Sequence, residues 1–289
     1  MATVLKASPI VRKHVADLKL DCERLKEKGV TPFLKVILVG EHPPSVIYTK
    51  NKKKFMESIG AECEILRLSA SVSEDDFLNT VSSVAKDSNV HGLFVQLPLP
   101  KSLSHIDVGQ LVPFEKDVDG FHAQNLYRVL AGDCGDNSLV SCTPKGIVTM
   151  LKHHDIDVSG KNVAIIGRSL IVGKPLSMLL TNMNATVTLC HSRTAQLKEV
   201  TKKADIIIAA IGKPRFITED FLNTEKKTII VDVGINHDDD GKLCGDVDYE
   251  NVEDHCSHIT PVPGGVGRMT ILSLGQNLIK AASTVAKES

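Results

Sequence analysis

Short apolar runs alternate with amphipathic stretches along most of this 289-residue chain, a pattern of parallel strands buried on both faces by crossover helices. Ser8-Pro9 has the form of an N-cap followed by proline in the first helical turn. Ile10, Val11, Val15, Leu18 and Leu25 then follow at roughly helical spacing up to Gly29. Next come an apolar run at 33–40, a helix at about 45–58 closed by Gly60, a second run at 62–68, a helix from about Ser73, and a third run at 90–97. After the leading helix the order is β-α-β-α-β.

Between 130 and 146 the periodicity stops and turn residues concentrate, which places a domain boundary near 148. A second series follows, with strands expected at 161–167, 185–190, 204–212 and 228–234 and helices at about 173–180 and 194–203. A last helix from about Gly267 carries Met269, Leu272, Gln276 and Ile279 along one side. The predicted fold class is α/β in two domains.

Composition narrows the function. A hydrophobic content of 42% supports two cores, and 34 basic against 35 acidic residues provide no general attraction for nucleic acid or anionic membrane. No apolar run reaches the roughly eighteen residues of a membrane span. Seven cysteines, an odd number without a CxxC pair, fit reduced thiols better than disulfides, and no metal site is read from the sequence. A cytoplasmic location is expected.

The segment VAIIGRSLIVGKP is a strand followed by Gly167, Ser169 and Gly173 and then a helix, a variant of the dinucleotide-binding turn. Glycine admits backbone close to a pyrophosphate, and the helix N-terminus supplies N–H donors. A plain strand-to-helix turn is the alternative, which the continuing βα series disfavours. An NAD site usually offers a carboxylate at the end of the next strand. Here that strand ends in His191, Ser192, Arg193 and Thr194, and with Arg168 in the first turn this suits the 2′-phosphate of NADP.

The run SVIYTKNKKKF crowds four lysines behind one tyrosine. With Tyr48 at zero on a helical wheel, Lys52 falls at about 40°, Phe55 at about 340°, Met56 at about 80° and Ile59 at about 20°. Lys50, Lys53 and Lys54 fall at about 200°, 140° and 240°, a solvated face. Lys52 therefore either faces inward, where desolvation would lower its pKa, or snorkels to water. Candidate partners are Gln96, near the carboxyl end of its strand, and Asp117 and Asp119 in EKDVDGFH.

Tyr48-x-x-x-Lys52, VQLPLP, KDVDG, CTPKG, GRSLIVGKP and ITPVPGGVG, in this order, resemble the methylenetetrahydrofolate dehydrogenase/cyclohydrolase family. The resemblance implies an N-terminal folate-binding catalytic domain at 1–147 joined by the final helix at 268–289. A Rossmann-like NADP-binding domain would occupy 148–267, with the active-site cleft between the two. It implies oxidation of 5,10-methylenetetrahydrofolate with NADP and hydrolysis of the methenyl product to 10-formyltetrahydrofolate, a step of one-carbon metabolism that serves purine biosynthesis, by a homodimer. Motif by motif, Lys52 would catalyse hydrolysis, Gln96 would orient it, Tyr48 would pack on the folate and Asp119 would hold the pterin. Leu97, Pro263 and Gly264 would line the substrate, and Gly167, Arg168, Ser169, Gly173, Ser192, Arg193, Gly234 and Ile235 the cofactor.

Two positions depart from the family pattern. Arg268 stands where GGVGPMT has proline; a cation at a helix N-terminus is disfavoured unless an anion such as a cofactor phosphate or substrate carboxylate offsets it, and the alternative is an exposed arginine with no role. The LKASP start lacks an expected Gly-Lys. A monofunctional dehydrogenase, an NADP-dependent oxidoreductase of another small molecule and a non-catalytic folate- or nucleotide-binding relative are the competing readings.

Overall fold

The computed structural model describes residues 2–135, 138–223, 225 and 227–288; residues 136 and 137 of the turn-rich stretch thus lie outside it. In chain order the elements begin with β1 (Thr3–Val4), α1 (Ala7–Glu27), β2 (Phe33–Val39), α2 (Pro43–Ser58), β3 (Glu62–Leu68), α3 (Glu74–Lys86), β4 (Gly92–Val95), α4 (Ala123–Leu130) and α5 (Cys142–His153). They continue with β5 (Asn162–Ile166), α6 (Gly173–Asn182), β6 (Thr186–Cys190), α7 (Leu197–Lys203), β7 (Ile206–Ala209) and β8 (Thr228–Asp232). The short pair β9 (Asn236–His237) and β10 (Leu243–Cys244) precedes α8 (Tyr249–Val252), β11 (Cys256–Ile259) and α9 (Val266–Glu288).

The chain divides into two compact units, Lys13–Cys142 with Ile271–Ser289, and Met1–Arg12 with Thr143–Thr270. The first holds a parallel three-stranded sheet in the order β3-β2-β4. Its core joins Ile37, Val39, Leu93 and Val95 to Phe77, Val81 and Val84 of α3. Ser73 caps α3 by accepting from the Asp76 N–H at 3.1 Å, and three acidic residues in the first turn suit the positive end of the helix dipole.

The second unit holds a six-stranded sheet in the order β1-β11-β8-β7-β5-β6, whose pairings are all parallel. Alternate residues enter opposite cores: Ala164, Ile166, Ile207 and Ala209 on one face, Val163, Ile165, Ile206 and Ile208 on the other. Burial on both faces is why these strands read as unbroken apolar runs.

The structure corrects several local expectations. Ser8 is not an N-cap: α1 begins at Ala7, whose N–H donates to the Gly264 carbonyl at 3.0 Å. The Ser8 hydroxyl instead accepts from Arg268 Nη1 at 3.1 Å. The supposed turn region ends at Cys142, where α5 starts with Pro144 in the first turn, a place where proline leaves no helical hydrogen bond unmade. Strands β1 and β11 escape the hydrophobic pattern because two and four residues are too few to show a period. No helix among the described residues is long and apolar enough to cross a membrane.

Candidate active site

Helix α2 presents Ser45, Thr49, Lys52 and Met56 as its buried residues, and Ile59 continues that stripe. Lys52 is only 3% exposed, whereas Lys50 and Lys54 are exposed and the half-buried Lys53 reaches Glu57 at 3.7 Å. The wheel thus separated the inward lysine from its neighbours, although Tyr48 and Phe55 sit half-buried at the rim of the stripe.

The Lys52 ammonium position lies 3.4 Å from Gln96 Oε1, 4.7 Å from the centre of the Tyr48 ring and 3.8 Å from that of Phe94. Gln96 is the first residue beyond β4, and its N–H still donates to the Ile37 carbonyl, so the sheet fixes its backbone. Its side-chain Nε2 donates to the Leu97 carbonyl at 2.8 Å, which turns Oε1 toward the lysine. Ser45 Oγ donates to the same carbonyl at 3.4 Å, tying α2 to the strand end.

Two influences on Lys52 oppose one another. The ring faces and the carboxylate of Asp119 favour the ammonium, while burial disfavours it. Burial is the larger effect and holds the pKa below the ordinary lysine value of 10.5.

The two aspartates of KDVDG have different tasks. Asp117 is 4% exposed and accepts from the Gly120 N–H at 3.1 Å, the His122 N–H at 2.7 Å and Asn125 Nδ2 at 2.9 Å. Burial raises its pKa against the pull of those donors, and its work is to shape the turn. Asp119 is half-buried and is the carboxylate whose charge reaches Lys52. Asn277 of α9 locks this turn from behind by donating to the Val118 and Val140 carbonyls at 2.8 Å each.

Sequence reading missed Phe94 and Asn277. A signal existed for Phe94, which precedes Gln96 by two positions and so shares its strand face; Asn277 sits beside Thr270, Ser273 and Thr284 on its side of the helix and carried no such signal.

In the six-stranded unit the chain leaves β5 through Gly167, at φ +129°, where a Cβ would collide with the Ala210 carbonyl. A Cβ on Gly173 would collide with the Gly167 carbonyl. The turn therefore needs both glycines to pack against the end of β7 and to start α6. Ser169 Oγ accepts from the Val172 N–H at 3.1 Å, bracing the same turn.

Ile166 pairs with Cys190, and the Gly167 N–H extends the ladder to the Cys190 carbonyl. Arg168 and the pair Ser192-Arg193 thus leave neighbouring strand ends, all three exposed, and residues 191–194 offer no carboxylate. This fits a phosphorylated ribose. β6 and β7 flank β5 on opposite sides, which makes the end of β5 a topological switch point, the usual place for a ligand of an open α/β sheet.

Gly234 and Ile235 follow β8, the latter 60% exposed. The Gly234 N–H donates to Asp232 Oδ1 at 2.9 Å. Pro263 and Gly264 lie in the loop before α9, and Arg268 is exposed on the first turns of that helix with Ser8 as its partner.

Comparison with known proteins agrees with both halves. Residues 5–119 match the family model for the tetrahydrofolate dehydrogenase/cyclohydrolase catalytic domain, and residues 141–286 match that for the NAD(P)-binding domain of the same enzymes. The bifunctional protein FolD of Oceanobacillus iheyensis is 45% identical over 282 residues, 98% of this chain and 97% of the relative.

Among solved structures, the bifunctional FolD methylenetetrahydrofolate dehydrogenase/cyclohydrolase of Campylobacter jejuni superposes with a TM-score of 0.93 at 39% identity, covering 99% of this chain and 100% of that one. The Trypanosoma brucei methylenetetrahydrofolate dehydrogenase-cyclohydrolase, complexed with NADP cofactor and inhibitor, has a TM-score of 0.91 at 28% identity and 98% coverage of each chain. The chain belongs to the tetrahydrofolate dehydrogenase/cyclohydrolase family.

Proposed function

We propose that this protein is a bifunctional enzyme that oxidises 5,10-methylenetetrahydrofolate with NADP and hydrolyses the methenyl product to 10-formyltetrahydrofolate. The observation that carries the proposal is Lys52, 3% exposed and within reach of Gln96 Oε1.

NADP supplies the hydride acceptor of the first step. Loss of hydride leaves a cationic methenyl carbon, which a charged lysine would repel and a neutral one tolerates. In the second step the oxygen of water bonds to that carbon while Lys52 Nζ takes a proton from the water. The carbon–N5 bond then breaks, N5 takes up a proton, the formyl group remains on N10, and the net reaction releases one proton. Gln96 keeps the amine oriented, Tyr48 offers a ring face for the folate, and Asp119 accepts N–H donors from the pterin edge. Leu97, Pro263 and Gly264 complete the substrate contacts.

For the cofactor, Gly167, Ser169 and Gly173 form the pyrophosphate turn, Arg168, Ser192 and Arg193 bind the 2′-phosphate, and Gly234 and Ile235 lie along the remainder. In domain terms, residues 1–147 with 268–289 serve folate and 148–267 serve the dinucleotide. The expected assembly is a cytoplasmic homodimer.

The test is incubation with methylenetetrahydrofolate and NADP while NADPH, methenyl and formyl species are followed separately. Formation of NADPH with enzymatic formyl product supports the bifunctional reading. NADPH with only uncatalysed hydrolysis leaves a monofunctional dehydrogenase, and no NADPH overturns the proposal.

A further inference from the structure

Asp246 follows β10, far in sequence from the dinucleotide turn, and is fully buried. Its carboxylate nonetheless receives four donors. Oδ2 accepts from the N–H groups of Ile211 at 2.6 Å and Gly212 at 3.1 Å, while Oδ1 accepts from the Lys213 N–H at 2.8 Å and Asn236 Nδ2 at 2.8 Å. Residues 211–213 belong to the loop after β7, and Asn236 opens β9 directly after the β8 loop, so one side chain fastens the segments that follow two neighbouring strands. Asp246 is itself fixed, because its N–H donates to Asp232 Oδ1 at 2.9 Å and Asp232 Oδ2 accepts from the Val247 N–H at 2.9 Å. A Cβ on Gly234 would collide with the Asp246 carboxylate, so the β8 loop lies directly against it.

Strand order says which part of a dinucleotide meets these loops. If Ser192 and Arg193 after β6 hold the adenosine ribose and the turn after β5 holds the pyrophosphate, the order of neighbours β6-β5-β7-β8 would direct the nicotinamide half toward the ends of β7 and β8. We infer that Asp246 is a positioning residue for the nicotinamide half of NADP, clamping the β7 and β8 loops into the shape that holds the reactive ring. The inference rests on the cofactor reading given above.

Asp246→Asn tests it. An amide in place of the carboxylate puts an NH2 where two N–H donors now converge, so whichever way it turns two of the four bonds are lost, either those of Ile211 and Gly212 or those of Lys213 and Asn236. The probes are NADP itself and adenosine 2′,5′-bisphosphate, which reports the adenosine half alone. The wild-type protein binds both if the cofactor reading holds; failure of the wild type to bind either one sinks that reading rather than the role of Asp246.

In Asp246→Asn the expected result is a drop of tenfold or more in dehydrogenase kcat/KM for NADP, with bisphosphate affinity within twofold of wild type. Unchanged dehydrogenase kinetics overturn the inference. So does equal loss of both ligands in a folded variant, since that marks a general structural role. Should Asp246→Asn not fold, Asn236→Ala, which removes one of the four donors, decides the matter. A fall of threefold or more in dehydrogenase kcat/KM with intact bisphosphate binding supports the clamp, and no fall overturns it.

Discussion

Replacing Lys52 by methionine separates catalysis from stability. Methionine keeps much of the unbranched apolar stem and deletes the amine that lies over the Tyr48 and Phe94 rings. The hydrogen bond lost to Gln96 Oε1 is long, at 3.4 Å, and is worth about 1 kcal/mol or less. The desolvation relieved belongs to an amine on a residue 3% exposed and is of the order of several kcal/mol for a charged group. The variant should therefore unfold at the same temperature as wild type or higher.

Removing a general base lowers the rate by about 10²- to 10⁴-fold, which is about 3 to 5 kcal/mol in barrier. Decay of the methenyl chromophore, corrected for the uncatalysed reaction, should thus fall by that factor in Lys52→Met. NADPH formation from methylenetetrahydrofolate should persist in part. Methenyl hydrolysis within threefold of wild type would refute the role assigned to Lys52. A clear loss of thermal stability would refute the claim that burial of the amine is the dominant energetic effect at this position.

Three further outcomes follow from the same geometry. Because the folded pKa of Lys52 is depressed below 10.5, the folded state binds this proton less well than the unfolded state, and stability rises with pH between the depressed value and 10.5. Denaturation of wild type and Lys52→Met across that window should show a rise in wild type that the variant lacks, and hydrolysis by wild type should quicken with pH as the amine loses its proton. Arg193→Ser should raise the KM for NADP about tenfold or more through loss of a charge-assisted contact, with little change for NAD; equal effects on both cofactors would remove Arg193 from 2′-phosphate recognition. Gly92→Ala places a Cβ 2.8 Å from both Leu278 Cδ1 and Val118 Cγ1, an overpacking worth about 1 to 3 kcal/mol, visible as a lower denaturant midpoint and contradicted by an unchanged one.

What the chain reveals by itself is whatever depends on near neighbours. Seven-residue β2 and β3, the start of α3 near Ser73, and the shared phase of Lys52 with the apolar stripe of α2 all follow from local periodicity, because a helix or strand repeats its facing every few residues. The glycines after β5 were legible as a turn, but their cause was not: the carbonyls they must avoid belong to Ala210 and Gly167 itself. Ser8 shows how a local rule fails. The serine has the form of a cap, yet its hydroxyl meets Arg268 across 260 positions.

The family resemblance favours Asp119 over Asp117, two residues apart with the same chemistry, but only the tertiary structure shows why. One carboxylate is filled by two backbone N–H groups of its own turn and the side-chain amide of Asn125 in α4, whereas the charge of the other acts on Lys52. The same holds for Asn277, whose donors reach carbonyls 159 and 137 positions away, and for the strand order that sets β6 and β7 on either side of β5. Periodicity records which side of an element is apolar; which distant group fills that side is fixed by packing and hydrogen-bond satisfaction, and neither is a property of a local stretch of chain.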